Sequence, residues 1–444
     1  MRRGLFQHAL YANGNLGKSG LASLLEIYGL FYLTDILNLS PALAGAVLLS
    51  SLIWDAVTDP IIGYISDRLR HRLKTATVYF AAGAPLTAAA FVGIFLSDKI
   101  SLALLPTYIL LVSLMFRTAY TIVDIPHNSL LAFLSDTPAD RTNIASLRIF
   151  FSSVGRFLVM VAAASVFGEA NEAASAVDFR QVAIFMACVY LASIGLSLLA
   201  VRAVRFQSAV SRRFYLRDVF RLITRNKNLS IVFALSALNS LTIPIIGAAI
   251  VYGAKYGLGD EAIGARAMAF FSVAQALSLI VWSWATNASG RKASTAKIAY
   301  GMIAGGVLLL AVLGCRHALP LFLSAIVIGG AVGGVFMLNW SMLPDALDAA
   351  SKDVAFGREM SIFGVYTLTN KVFAGLSQAS FGLVLSCWGY SPDALVATTH
   401  INEIVITALG LPFVGVVACI FLLNRYNDLG SLGAANQTRI SRRD

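Results

Sequence analysis

The sequence predicts an all-α integral membrane protein with twelve transmembrane helices in two six-helix halves. Three observations carry that fold class. Of 444 residues, 58% are hydrophobic and only 13% are charged, more apolar surface than a water-soluble chain of this length could bury. Apolar runs long enough to cross a bilayer recur about twelve times. Basic residues collect in alternate connections between those runs.

In chain order the runs lie near 9–37, 41–66, 77–97, 101–133, 145–168, 181–203, 229–255, 264–286, 295–314, 318–344, 359–389 and 400–424. Several exceed the ~20 residues that a span requires, so tilt or extension beyond the bilayer is expected. Met1 to Asn15 lacks a small-residue cleavage site behind an apolar core, so no cleavable signal peptide is expected. With both termini placed inside, the cytoplasmic segments hold 24 of the 34 Lys and Arg residues and the outer segments hold five. This asymmetry predicts cytoplasmic termini, an even number of spans and an inner (plasma) membrane location. The densest basic segment runs from Arg202 to Lys227. It predicts an N-terminal half over 1–203, a basic cytoplasmic connecting loop over 204–228, a C-terminal half over 229–424 and a cytoplasmic tail over 425–444. Gly63-Tyr64-Ile65-Ser66-Asp67-Arg68 is echoed at the end of the eighth run, and Asn128-Ser129-Leu130-Leu131 by Trp340-Ser341-Met342-Leu343. Such echoes suggest the parallel repeat of major-facilitator transporters, in which solute binds between the halves. The net charge of +11 follows from this topology and predicts no nucleic-acid partner. Cys188, Cys315, Cys387 and Cys419 are scattered among apolar runs, with neither metal spacing nor a disulfide pattern.

The second run carries two carboxylates deep in the span, Asp55 and Asp59. A spacing of four puts both on one helical face, about one turn apart. One such acid costs about 2.5–3.5 kcal/mol at a bilayer centre, so two require a bound cation, a proton or a facing basic residue. Pro60 weakens the backbone ladder beside them. In the fourth run Arg117, Thr121 and Asp124 share a face at spacings of four and three. Three carboxylates and the Thr121 hydroxyl suit a hard monovalent cation such as Na⁺, or a shared proton. Other charges inside the spans are Lys18 and Glu26 in the first, Arg148 and Arg156 in the fifth, and Lys371 in the eleventh. Lys371 lies too deep to snorkel and is expected to counterbalance the acids. His127, beside Pro126, reads as structural.

Trp54-Asp55-Ala56-x-x-Asp59-Pro60-Ile61-x-Gly63 resembles the second-helix signature of the melibiose-carrier-like glycoside–pentoside–hexuronide:cation symporter family. Tyr120-Thr121-Ile122-x-Asp124-Ile125-Pro126-x-x-Ser129-Leu130 and Arg148-x-Phe150-x-x-x-x-Gly155 resemble that family too, as does the placing of Asp345, Asp348, Arg358 and Lys371. The resemblance implies a symporter in which Asp55, Asp59, Thr121 and Asp124 hold Na⁺, Li⁺ or H⁺, with Lys371 near that site. It implies that Lys18, Tyr120, Asp124, Arg148 and Thr367 border the solute. Asp67, Arg68, Arg141, Asp345, Asp348 and Arg358 take gating or structural places. This chain departs from the pattern at Ser19, where the family has a sugar-binding aspartate, and at Asn128, where it has an aromatic platform. It adds Glu26 and Arg117, which either pair with each other across the cavity or grip a charged solute.

The expected function is therefore cation-coupled symport of a small polar solute, a sugar, glycoside or sugar acid, by alternating access. The alternative is lysolipid or another non-sugar solute on the same fold. The expected partners are a small-molecule substrate, Na⁺ or H⁺ and membrane lipids, the expected state is a monomer, and no cofactor is expected. An enzyme is not expected, because the five histidines are dispersed and neither a nucleophile elbow nor a phosphate loop is present.

Overall fold

The computed structural model describes residues 4–73, 76–101, 103–135, 137–167, 175–202, 216–314, 316–350, 358–387 and 401–427. These residues are helical almost throughout. The first set is α1 Leu5–Phe31, α2 Pro41–Leu73, α3 Thr77–Ile94, α4 Leu105–Leu134, α5 Pro138–Phe167 and α6 Ala176–Val201. The ten-residue α7, Leu216–Arg225, follows. The second set is α8 Lys227–Tyr252, α9 Glu261–Ser289, α10 Lys292–Leu309, α11 Ala318–Ala350, α12 Glu359–Cys387 and α13 Ile401–Leu423. Every helix except α7 has 18 residues or more, which gives twelve long helices among the described residues.

Ten of the twelve are long and apolar enough to cross a membrane; α1 and α12 are the others. Charged and amide residues dilute both, Asn15, Lys18 and Glu26 in α1 and Glu359, Asn370 and Lys371 in α12. Large apolar side chains such as Leu49 and Ile53 on α2, or Ile280 and Trp284 on α9, stand exposed. Such surface suits acyl chains. The α7 segment falls within the span expected to be a loop. Arg217, Arg221 and Arg225 recur every fourth residue there while Val219 and Ile223 are buried, so a short amphipathic helix forms where no apolar run announced one. Lys352, one of the basic residues assigned to the cytoplasmic side, and residues 204–215 and 428–444 lie outside the described residues.

Two compact units divide the chain. The first comprises residues 1–136, 143–219 and 356–368; there α1 packs on α6, and α4 on α2 and α3. Its apolar core includes Tyr11, Leu24, Phe80, Phe91, Phe116 and Tyr190. The second comprises 137–142, 220–355 and 369–444; there α11 packs on α9 and α10, and α8 on α13.

One local motif recurs in both units. After α1 the chain makes a π turn, Tyr32–Ile36, and after α8 another, Gly253–Gly257. The first is closed by Leu37 N–H on the Tyr32 carbonyl and Leu39 N–H on the Leu33 carbonyl. The second is closed by Leu258 N–H on Gly253 and Asp260 N–H on Ala254, at the same sequence offsets. Asn38 (φ 56°) and Gly259 (φ 69°) hold corresponding left-handed positions, which only Gly and Asn adopt readily. An internal repeat is thus written in the backbone more clearly than in the side chains.

Candidate cation and solute sites

Two buried polar clusters lie in the first unit. The first joins α2 to α4. Asp55 and Asp59 stand one turn apart on α2, 1% and 0% exposed. The Thr121 hydroxyl of α4 lies 3.2 Å from Asp55 Oδ1 and 3.1 Å from Asp59 Oδ1. One hydroxyl carries one proton, so it cannot donate to both acids at once. One turn away on α4, Arg117 places a guanidinium N–H 3.2 Å from Asp55 Oδ2. Trp54 Nε1 donates to the Thr118 hydroxyl at 2.9 Å, tying the same two helices together. Pro60 does not interrupt α2, which runs through it. The start of α12 packs directly on this region: a Cβ on Gly364 would meet the Asp59 carbonyl oxygen at 2.5 Å.

The second cluster is built by α1, α4 and α5. The Lys18 ammonium lies 2.7 Å from Asp124 Oδ1, 2.9 Å from His127 Nδ1 and 3.1 Å from Asn128 Oδ1. Asn128 Nδ2 donates to Asp124 Oδ2 at 2.8 Å, and an Arg148 N–H donates to Asn128 Oδ1 at 2.5 Å. An ammonium only donates, so His127 Nδ1 accepts and the imidazole keeps its proton on Nε2. That nitrogen faces the Tyr11 carbonyl at 3.2 Å and the Ser197 hydroxyl at 3.1 Å. The Tyr11 hydroxyl donates to the His127 carbonyl at 2.7 Å, and the two rings stack 4.6 Å apart. Gly14 lets α1 approach this closely, since a Cβ there would lie 2.5 Å from His127 Nε2. Asn15 Nδ2 reaches the Arg148 carbonyl at 3.4 Å, while its Oδ1 has no hydrogen-bond partner among the described residues.

Arg117, Thr121, Asp124 and Asn128 therefore form one stripe along α4 at spacings of four, three and four. Its N-terminal part meets the acids of α2 and its C-terminal part meets Lys18. Asp124 bonds Lys18 and Asn128, a different setting from the three-acid cluster the spacing suggests. Arg117 meets Asp55, whereas pairing with Glu26 was one of the two sequence expectations. Glu26 is exposed and lies close enough to Arg156 for the two charges to act on each other. Ser19 is half-buried on α1, and the Tyr120 hydroxyl donates to the Lys18 carbonyl at 3.5 Å. Thr367 is buried and turns its hydroxyl to the Phe363 and Gly364 carbonyls of its own helix.

The helix-end residues form two further sets. Asp67 accepts from Met360 N–H at 3.2 Å, Ser361 N–H at 2.7 Å and the Ser361 hydroxyl at 2.6 Å. A carboxylate from α2 thereby caps the first turn of α12, where backbone donors and the helix dipole favour an anion. Arg68 is exposed and stacks 5.3 Å over the Tyr64 ring. In the second unit Arg141 bonds Asp345 at 2.6 Å and also Asp348; Lys292 adds a 2.7 Å bond to Asp345. Arg358 immediately precedes α12 and its carbonyl accepts from Ile362. Lys371 is half-buried on the part of α12 that belongs to the second unit. Sequence reasoning named His127 as structural and did not single out Tyr11, Lys292 and Ser361, which carry no local signal.

Twelve long helices among the described residues, with an apolar exterior and charged clusters buried within them, define a multi-pass membrane protein. Residues 10–427 match the family described as MFS/sugar transport protein, so the chain belongs to that major-facilitator family, in agreement with the motif resemblance. It is 24% identical to the isoprimeverose transporter of Lactiplantibacillus pentosus, over 88% of this chain and 82% of that one. It is 21% identical to the sodium-dependent lysophosphatidylcholine symporter 1 of Xenopus tropicalis, over 84% of this chain and 77% of that one. Its fold resembles the outward-facing crystal structure of a bacterial homologue of the iron transporter ferroportin, with TM-score 0.67, 14% identity and coverage of 93% and 99%.

Proposed function

We propose that the chain is a cation-coupled symporter of the inner membrane, with both termini cytoplasmic, for a small polar solute that carries one anionic group. A sugar acid or a modified glycoside has that chemistry. The observation that carries the reading is the convergence of two buried cations: the Lys18 ammonium and the Arg148 guanidinium both reach Asn128 Oδ1, and Lys18 also reaches Asp124. An ammonium and a guanidinium aimed at one spot favour a carboxylate or phosphate group there. The unpartnered Asn15 Oδ1 offers an acceptor to a solute hydroxyl. Ser19 supports the same reading, because it removes a carboxylate beside Lys18 that sugar-carrying relatives use. Asp55, Asp59 and Thr121 are the cation ligands in this proposal.

Proteoliposomes containing the full chain test it directly. D-galacturonate should accumulate against its gradient when a Na⁺ or proton gradient is imposed, and D-galactose should compete poorly. Equal competition by the neutral sugar would remove the anionic assignment. Competition by lysophosphatidylcholine alone would move the protein to the lysolipid alternative.

A further inference from the structure

Arg117 stands on the first carboxylate of the pair that the coupling ion is proposed to use. We propose that Arg117 is a resident competitor of that ion: cation loading weakens its hold on Asp55, and the freed guanidinium completes the binding of the solute's anionic group. The inference rests on the symport reading above and supplies its coupling device.

Three observations support the exchange. The guanidinium N–H lies 3.2 Å from Asp55 Oδ2, longer than the roughly 2.7–2.9 Å of a strong charge-assisted hydrogen bond. Asp55 is enclosed on a short side chain that is 1% exposed, while the longer, more rotatable Arg117 side chain is 11% exposed. The carboxylate is therefore the fixed member and the guanidinium the one with room to move. Finally, Arg117 and Asp124 lie on the same stripe of α4, seven residues or ~10.5 Å apart. A long side chain and a bound solute can close that gap together.

The electrostatics run in one direction. A cation between Asp55, Asp59 and Thr121 would share the Asp55 oxygens with Arg117 and repel the guanidinium. A solute anion beside Lys18 attracts it. Each ligand thus favours the Arg117 position that the other needs, and the linkage is reciprocal. A neutral solute gains nothing from the exchange. Arginine suits this task because its charge persists and its planar fork matches a carboxylate.

The test uses Arg117→Gln in the full chain, purified in lipid nanodiscs. The first measurement contains no solute: protection against thermal unfolding is titrated with NaCl, LiCl and protons, against choline chloride. The variant should half-saturate at about tenfold lower ion concentration than the parent for at least one ion. If no ion binds the variant more tightly than the parent, the competition is overturned. The second measurement is the Kd for D-galacturonate and D-galactose with and without that ion. In the parent the ion should tighten galacturonate about tenfold and galactose less than about threefold; in Arg117→Gln that difference should vanish. A variant that keeps the full ion-dependent tightening overturns the exchange. Failure of the parent to accumulate any sugar acid would instead refute the symport reading, and the solute-free measurement would stand by itself.

Discussion

Replacing Lys18 by methionine keeps the aliphatic stem and removes the charge. The ammonium lost is the 2.7 Å partner of Asp124 and also donates to His127 and Asn128. With Lys18 gone, Asp124 keeps Asn128 Nδ2 at 2.8 Å, yet its counter-charge is removed. Breaking a buried pair from one side costs about 3–5 kcal/mol. Lys18→Met should therefore melt lower, and Lys18→Met/Asp124→Asn should recover much of that loss. The functional consequence is separable from the structural one. The parent cluster holds two cations and one anion, Lys18→Met holds one of each, and the double variant holds Arg148 alone. A charge-assisted contact contributes about 1.5–3 kcal/mol, or about 10- to 150-fold in affinity. The ratio of D-galacturonate to D-galactose affinity should fall by that factor in Lys18→Met and return toward the parent value in the double variant. Using the ratio cancels any loss of hydroxyl contacts shared by the two sugars. Inhibition of uptake in proteoliposomes, matched for inserted protein, measures it. A ratio that stays unchanged in Lys18→Met, or that falls further in the double variant, would refute the charge argument.

Asp59→Cys should abolish gradient-driven accumulation and leave downhill exchange of solute, since it removes one of the two acids on Thr121; full concentrative uptake by the variant would clear Asp59 of the coupling role. Lys371→Ala should eliminate accumulation in a protein that still reaches the membrane, and unchanged transport would show that the lysine serves elsewhere. Asp67→Ala should lower the unfolding temperature, because the first turn of α12 loses an anionic cap worth about 1.5–3 kcal/mol. Asp67→Asn should recover part of that loss, measured by thermal unfolding in one detergent.

Periodicity made much of the architecture legible. Long apolar runs mark helices because the bilayer forces every backbone polar group to be satisfied within its own segment. The face shared by Arg117, Thr121 and Asp124 likewise follows from spacing on a single helix. What spacing cannot reach is which helix that face meets. Arg117 lies on the face of Asp124 in the sequence, but its guanidinium goes to α2, because α2 and α4 pack together there. The partner of His127 is hidden for a related reason: only the approach of α1, permitted at Gly14, brings Lys18 to its ring. Asp67 and Ser361 are 294 residues apart, beyond any local pattern. The short α7 escaped because its amphipathic period spans only ten residues of a basic segment, with no continuous apolar run to mark it.

The crossing of α2 and α12 has a mechanical meaning. Gly63 faces the Met360 backbone and Gly364 faces Asp59 and Pro60, so main chain rests on main chain at both points. Side chains act as springs between most helices, absorbing small shifts by changing rotamer. Here no spring intervenes, and the junction is stiff: a shift in the first two turns of α12 is delivered to the peptide that carries Asp59 with little slack. Enlarging Gly364 to alanine would insert a shim at that contact. It should displace the Asp59 carboxylate relative to Thr121 without altering a single charged residue.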